Sequence, residues 1–394
     1  MNTGRYIFSQ ITDFLPKRKF ERIMSSRIKN KVTDPTLGWQ LSYWNQLLVL
    51  MFGQLDGCRS LRELTDIAIA HKEKSFHLGF GKYGVNRSIL SKCNSYRDWH
   101  VFEEFAYHMI NMAQRTRIGR EFCIEGKFYA FDSSTIDLCM SIFKWANFRS
   151  TKSGIKLHTQ LDIVTQIPKM VHITEARTHD VNAMDVIEYE PQAGYIFDRG
   201  YWDLCRLYHI NQVNAFFVIR EKRQPEYAVE TCVDIESNSN VLKDESVRFI
   251  GERNVKNYPD RIRRIVAYIP DLDRTFTFYT NNFILSSEQV VFLYKNRWQV
   301  ELFFKWIKQH LRVTTFWGQS ENAVRIQIYV AICTYCLIAI VEHEMKIGRN
   351  IYEVMRIIGS SLLVKGDMKD LFFPVEDEPA PIANCQLTFD FEFD

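Results

Sequence analysis

The sequence predicts an α/β protein: a mixed sheet with flanking helices, preceded by a helical N-terminal segment and interrupted by a β-rich insertion. Three observations lead there. Hydrophobic periodicity is helical up to about residue 122 and strand-like beyond it. From 123 onward strands and helices alternate in an order that needs crossover connections. Residues 221–273 then break that alternation with short β-like pieces rich in charge. At 394 residues, 46% hydrophobic and 14% aromatic, the chain has material for two or three domains with a substantial core, and its composition argues for a tightly packed protein and against disorder.

The N-terminal elements come first. A basic stretch, LPKRKFERIMSSRIKNK, precedes the apolar, aromatic run GWQLSYWNQLLVLMFGQL. SLRELTDIAIAHK follows, with Ser60 and Glu63 at capping-box spacing. GVNRSILSKCNSYRDWHVFEEFAYHMI completes the segment. Short helices joined by small-residue turns are the pattern of helix-turn-helix modules and equally of any helical bundle. Residues 1–120 carry 19 Lys/Arg against 10 Asp/Glu, although the whole chain is only +3. A basic front end suits a polyanion such as DNA, and a solvated basic face has the same charge.

FYAFD (128–132) reads as a buried strand. KLHTQLDIVT (156–165) and KMVHITEA (169–176) form a hairpin around Gln166-Ile167-Pro168. YIFD (195–198) and NAFFVIR (214–220) are further strands, with helices at 182–189 and 202–211. Residues 221–273 are expected to build a small sheet of their own, and RTFTFYTNNF (274–283) to return to the core. One long helix starts at Ser286 or Ser287 and runs to about 312, and another spans 321–346. The expected units are therefore 1–122, 123–220, the insertion 221–273, 274–346, and a C-terminal segment 347–394. Residues 366–394 hold 8 acids and one Lys, and the tail beyond 374 reads as mobile.

Several classes are excluded. MNTGRYIFSQITDFLPKRKF has no apolar signal region, and the most apolar stretch, Ile326 to Val341, reads as a buried core helix and not a membrane span. The chain thus reads as soluble and cytoplasmic in a bacterium, with no membrane. Nine scattered cysteines fit reduced, buried thiols. Cys333 and Cys336 form a CxxC inside an apolar helix, with no second pair to complete a zinc site. TKSG (151–154) lacks a Walker-A frame.

The chemistry concentrates in YKNRWQVELFFKWIKQHL (294–311). At roughly 100° per residue, Tyr294, Arg297, Glu301 and Lys308 share a stripe about 60° wide on an otherwise greasy helix. A buried charged stripe is costly unless it is paired or faces something charged. Pairing within the helix is open to it, since Arg297–Glu301 and Glu301–Lys305 are both i,i+4. Two further carboxylates point to the other reading. Asp132 and Asp198 each close an apolar strand, and strand ends of a crossover sheet gather at one edge. Two aspartates and the helix-borne Glu301 would repel one another without cations. Hard oxygen donors without His or Cys select Mg²⁺ or Mn²⁺, and a pair of such ions supports phosphodiester chemistry.

The run Y-x2-R-x3-E-x6-K (Tyr294, Arg297, Glu301, Lys308) matches the YREK signature of the IS-four family of insertion-sequence transposases. The order Asp132, Asp198, Glu301, set in FYAFDSSTIDL, YIFDRGYWD and the helix, resembles the DDE triad of RNase H-like transposases and integrases. The resemblance spans about 123–345. It implies an RNase H-like core whose Asp132, Asp198 and Glu301 are catalytic and hold two Mg²⁺ or Mn²⁺ ions. It implies that Tyr294, Arg297 and Lys308 contact DNA phosphates, that the N-terminal segment is a DNA-binding domain, and that the β-rich insertion is the family's own. The implied activity is cut-and-paste transposition: binding of terminal inverted repeats, synapsis as a homodimer, cleavage, and joining to target DNA. Some relatives stack a Trp of the insertion on a flipped base. Here no Trp lies between Trp202 and Trp298, leaving Tyr258, Phe249 or Tyr268 for that role.

Asp137, Asp203 and Asp162 are weaker ligand candidates because none directly ends an apolar strand. Arg199 suits a phosphate contact or a structural partner. Asp180 is placed to cap a helix beside His179. Gln386-Leu387-Thr388-Phe389, with Asp390-Phe391, resembles the tail motif that docks on the bacterial sliding clamp; a solubilising acidic tail is the plainer reading. Two other functions share the fold: a DNA-binding protein with lost or repurposed catalysis, and an RNase H-like nuclease without strand joining.

Overall fold

The structure, a computed structural model, describes residues 4–28, 40–117, 122–139, 143, 145–149, 152–222, 225–235, 239–309 and 315–373. The tail motif at 386–391 lies outside them. N-terminal helices occupy Ile7–Thr12, Lys17–Ile28, Tyr43–Asp56, Leu61–Ala70, Arg87–Tyr96 and His100–Thr116. Their boundaries follow local chemistry. Ser42, Ser60 and Asn86 cap three of them by accepting backbone N–H groups, and Gly57, left-handed at φ 79°, ends the second of the long ones. This bundle does not stand apart. It packs around the buried Glu321–Glu344 helix, chiefly through the His100–Thr116 and Tyr43–Asp56 helices. That apolar helix is long enough to cross a membrane, but residues 326–342 are all buried inside the fold.

Among the described residues the sheet has ten strands: β1 Phe128–Leu138, β2 Asn147–Arg149, β3 Lys152–Asp162, β4 Pro168–Glu175, β5 Gly194–Phe197, β6 Phe216–Arg220, β7 Tyr227–Cys232, β8 Val241–Phe249, β9 Ile262–Ile269 and β10 Arg274–Thr280. Their spatial order is β2-β3-β1-β5-β6-β10-β9-β8-β7, with β4 also on β3. β1, β5 and β6 run parallel, and β3, β4, β9 and β10 are antiparallel to their neighbours. An antiparallel hairpin leading into parallel strands, with helices on both faces, is the RNase H-like arrangement. Gln166, at φ 61°, makes the β3–β4 turn.

Three expectations change. β7, β8 and β9 form no separate sheet; they extend the central one, because β10 pairs with β6 on one side and β9 on the other. β1 runs on past Asp132 to Leu138, because β3 offers it a partner through Ser153. The long helix expected from 286 divides into Ser287–Asn296 and Trp298–Gln309. At the joint Arg297 N–H donates to Tyr294 O (3.1 Å) and Val300 N–H to Arg297 O (3.1 Å), so the backbone tightens to i→i+3 bonding at the arginine. Ser286 caps the first half through a complete capping box with Gln289.

Candidate active site

Parallel pairing alone brings the first two carboxylates together. The β1–β5 ladder ends at Phe131 opposite Phe197. Asp132 and Asp198 follow on their respective strands, side by side at the C-terminal edge. Gly194 sets this register: it pairs with Phe128, whose ring would stand 2.7 Å from any Cβ at that position. The β5–β6 ladder ends with Phe197 opposite Ile219, so Arg220 takes the next place along the same edge. Sequence reading missed Arg220. Its signal was the one used for the aspartates, the first charge after an apolar strand.

The two helices at 287–309 cross this edge and supply the rest. Tyr294 Oη donates to Asp198 Oδ1 at 3.2 Å, and Arg220 Nη2 stands 3.1 Å from the same oxygen. Arg297 Nη1 donates to Asp132 Oδ2 at 2.9 Å, and its Nη2 donates to Glu301 Oε1 at 2.6 Å. The i,i+4 reading of Arg297 and Glu301 therefore holds, but the arginine also reaches across to the strand. Lys308 Nζ donates to the Thr135 carbonyl of β1 at 2.6 Å. The stripe thus faces the acidic edge of the sheet along its whole length.

Charge and burial are out of balance here. The side chains of Arg297, Asp132 and Glu301 are 12%, 20% and 33% exposed. Burial pushes the Asp132 carboxyl up to about 6; Arg297 and the Ser133 N–H oppose the rise, and the charges of Asp198 and Glu301 add to it. Burial would raise Asp198 as well, but the Arg199 N–H, Arg297, Arg220 and Tyr294 hold it below the usual carboxylate range. Burial pushes Tyr294 up to about 12 and lowers Lys308, the latter partly offset by Asp137. The Nε atoms of Arg297 and Arg220 are buried without a hydrogen-bond partner.

All-oxygen donors of this kind suit Mg²⁺ or Mn²⁺. Among the described residues, however, no three His, Cys, Asp or Glu side chains form a group able to hold one ion. The three carboxylates share an edge without forming such a group; the Arg297 guanidinium bridges two of them, and Tyr294 and Arg220 hold the third. Beside them opens a cleft of about 560 Å³ whose walls include Arg220, Phe276, Phe278, Tyr294, Arg297 and Trp298.

The remaining candidates separate cleanly. Asp203 caps the Leu204–Gln212 helix, and Asp162 accepts the Val164 and Thr165 N–H groups in its turn. Asp137 is exposed further along β1. Asp180 does not cap; it accepts from Ser133 Oγ at 2.6 Å and pairs with Lys156 at 3.0 Å, fastening the residue next to Asp132. Arg199 is exposed and pairs with no acid among the described residues. Tyr258 and Phe249 are buried in the core and present no face for stacking, and the Tyr268 hydroxyl donates to Asp273. Trp298, 58% exposed, is the open aromatic face at the cleft. Cys333 and Cys336 are buried, with burial raising both thiols.

Residues 125–337 match the family described as Transposase DDE domain, and residues 3–81 match Domain of unknown function (DUF4372). A Sinorhizobium fredii protein provisionally named transposase y4zB is 31% identical over 240 residues, 60% of this chain and 67% of its own length. A probable transposase for an insertion sequence element of Geobacillus stearothermophilus is 27% identical over 318 residues, 78% of this chain and 83% of that one. A Synechocystis protein, also provisionally named as an insertion-sequence transposase, is 24% identical over 71% of this chain and 79% of its own.

Proposed function

The chain belongs to the DDE transposases of insertion sequences, and we propose that it is a cut-and-paste enzyme of the YREK group. Asp132, Asp198 and Glu301 are its catalytic carboxylates. The observation that carries this reading is the edge itself: two aspartates delivered side by side by parallel strands, with Glu301 facing them from the crossing helix.

In this reading Asp132, Asp198 and Glu301 are the residues that would hold two Mg²⁺ or Mn²⁺ ions, which when bound would supply Lewis acidity at the scissile phosphate. The chain's own residues do the rest. Tyr294, Arg297 and Lys308 bind backbone phosphates at the transposon end: a guanidinium fork, a point charge and a rigid hydroxyl on one stripe. Water first displaces the 3′-oxygen of the element's end from phosphorus. The freed 3′-hydroxyl then attacks a target phosphodiester, so that one ester bond forms as another breaks. The N-terminal segment, through about residue 122, grips the terminal inverted repeats. Arg18 and Arg22 on the Lys17–Ile28 helix and Arg87 and Lys92 on the Arg87–Tyr96 helix are exposed and pair with no acid among the described residues. Two protomers pair two ends, and the work is done in the cytoplasm, on the nucleoid.

The test is a Mg²⁺-dependent assay on linear duplex carrying the DNA that flanks the coding sequence. Nicked and joined products are expected from the wild type. Asp132→Ala, Asp198→Ala and Glu301→Ala should each lower cleavage by at least about a thousandfold, ~4 kcal/mol in the barrier, with end binding kept. Cleavage retained in any one of them refutes the assignment. Nicking without joining identifies a nuclease, and binding without nicking a repurposed DNA-binding protein.

A further inference from the structure

The arginine of the YREK stripe lies where the carboxylates would meet a cation. Its two terminal nitrogens are spent on Asp132 (2.9 Å) and Glu301 (2.6 Å), while Asp198 is taken by Arg220 (3.1 Å) and Tyr294 (3.2 Å). Every one of the three acids thus already has a partner within the fold. We propose that Arg297, assisted by Arg220, is an internal counter-ion that keeps divalent cations off this site until DNA is engaged. The inference rests on the metal-binding reading of Asp132, Asp198 and Glu301, and adds an order to it: nucleic acid first, metal second.

Three features of the site support a removable plug over a permanent brace. First, Arg297 is under-used: its Nε is buried without a partner, as is that of Arg220, so neither guanidinium is fully satisfied where it stands. Second, the backbone tightens to i→i+3 bonding at Arg297 itself, between the two helices, so its side chain leaves from a joint and not from mid-helix. Third, Arg297 and Arg220 both line the cleft that opens beside the acids, which gives each guanidinium somewhere to turn. A backbone phosphate entering that cleft offers either arginine a bidentate partner of the same charge as the carboxylate it leaves. The carboxylates, uncovered and mutually repelling, then bind cations. Metal affinity and DNA affinity are linked in this scheme, and by reciprocity each raises the other.

The experiment measures Mn²⁺ binding to the full chain by electron paramagnetic resonance and calorimetry, without turnover. DNA-free wild type should bind Mn²⁺ at least about tenfold more weakly than DNA-free Arg297→Gln, with Arg297→Lys between them, because lysine keeps the charge but lacks the planar fork whose two terminal nitrogens span both carboxylates. Adding a 30-base-pair duplex of flanking DNA should tighten Mn²⁺ binding to the wild type at least about tenfold and to Arg297→Gln by little. Equal Mn²⁺ affinity in DNA-free wild type and Arg297→Gln overturns the plug. If the Gln variant does not fold, the wild type decides alone: tightening by the duplex supports the proposal, and an unchanged affinity overturns it. The underlying site is checked separately with Asp132→Asn and Glu301→Gln in the presence of duplex. If both bind Mn²⁺ as the wild type does, the metal-site reading fails; if they lose it while DNA-free affinities are equal, the plug alone fails.

Discussion

Two arginine–carboxylate clusters sit on opposite wings of the same sheet, and they are built to different ends. On the insertion side Arg263 of β9 meets Asp244 of β8 through two parallel bonds, 2.9 and 2.6 Å. Its remaining nitrogen capacity goes to the Asn282 and Leu285 carbonyls, and Ser287 donates to Asp244 at 2.6 Å. One cation faces one anion, both nearly out of water at 9% and 1% side-chain exposure, and the bonds from Arg263 and Ser287 outweigh burial to hold Asp244 below the usual carboxylate range. At the other cluster Arg297 serves two acids with a third nearby, leaves its Nε orphaned, and fails to keep Asp132 from rising to about 6. A satisfied pair locks the insertion onto the helix beginning at Ser287. A cluster of three acids held by two arginines whose Nε atoms lack partners is fastened less completely and can rearrange. The contrast teaches that a buried ion pair is read by its accounting of bonds and charge, not by its presence.

The contrast can be broken by substitution. The largest effect is expected at the satisfied pair: Asp244→Ala strands a buried guanidinium and should cost about 3–5 kcal/mol, seen as a lower denaturation midpoint. A loss below about 1 kcal/mol would mean that the pair is no brace. A smaller effect of opposite sign is expected at Asp132. Its folded-state carboxyl titrates near 6 against an ordinary value of 3.8. The folded chain therefore binds more protons than the unfolded one between those values, and stability falls as pH rises through that window, then stays down above it. Asn never ionises and escapes this loss. DNA-free Asp132→Asn should thus match the wild type near pH 4 and exceed it at pH 8 by on the order of 1–3 kcal/mol. A melting temperature at pH 8 equal to or below that of the wild type would show that Arg297 fully balances the acid. The smallest effect is at the end of the stripe: Lys308→Ala should weaken duplex binding severalfold and reduce its logarithmic salt slope by about one unit. An unchanged slope would confine Lys308 to its bond with Thr135.

Much of this was legible in the chain. The strand FYAFD, the strand YIFD and the stripe at 294–308 carry their own signals: apolar runs that stop at a charge, and a helical period with polar residues on one side. The apolar run in the Glu321–Glu344 helix is long and apolar enough for a membrane span, and its burial inside the fold is what makes it a core helix. The misreadings are of one kind. The separate sheet for 221–273, the end of β1 at Asp132 and the unbroken helix from 286 were all inferred from local pattern. Each was decided by a distant partner or by a joint between elements: β10, β3 and the turn at Arg297. Tyr258 and Phe249 failed as stacking residues for the same reason, since aromatic faces buried in a core and faces open at a cleft look alike in a sequence.

By itself, then, the sequence determined the class of fold and singled out three candidate acids and the polar stripe, because hydrophobic period and residue chemistry are properties of a few neighbours along the chain. Only the tertiary structure decided which charges meet. Register placed Asp132, Asp198 and Arg220 in a row, and helix packing set Arg297 among the acids. Charge interactions fall off with distance through space and take no account of separation along the chain, so Arg220 could be recognised as part of the site only after three strands had been aligned.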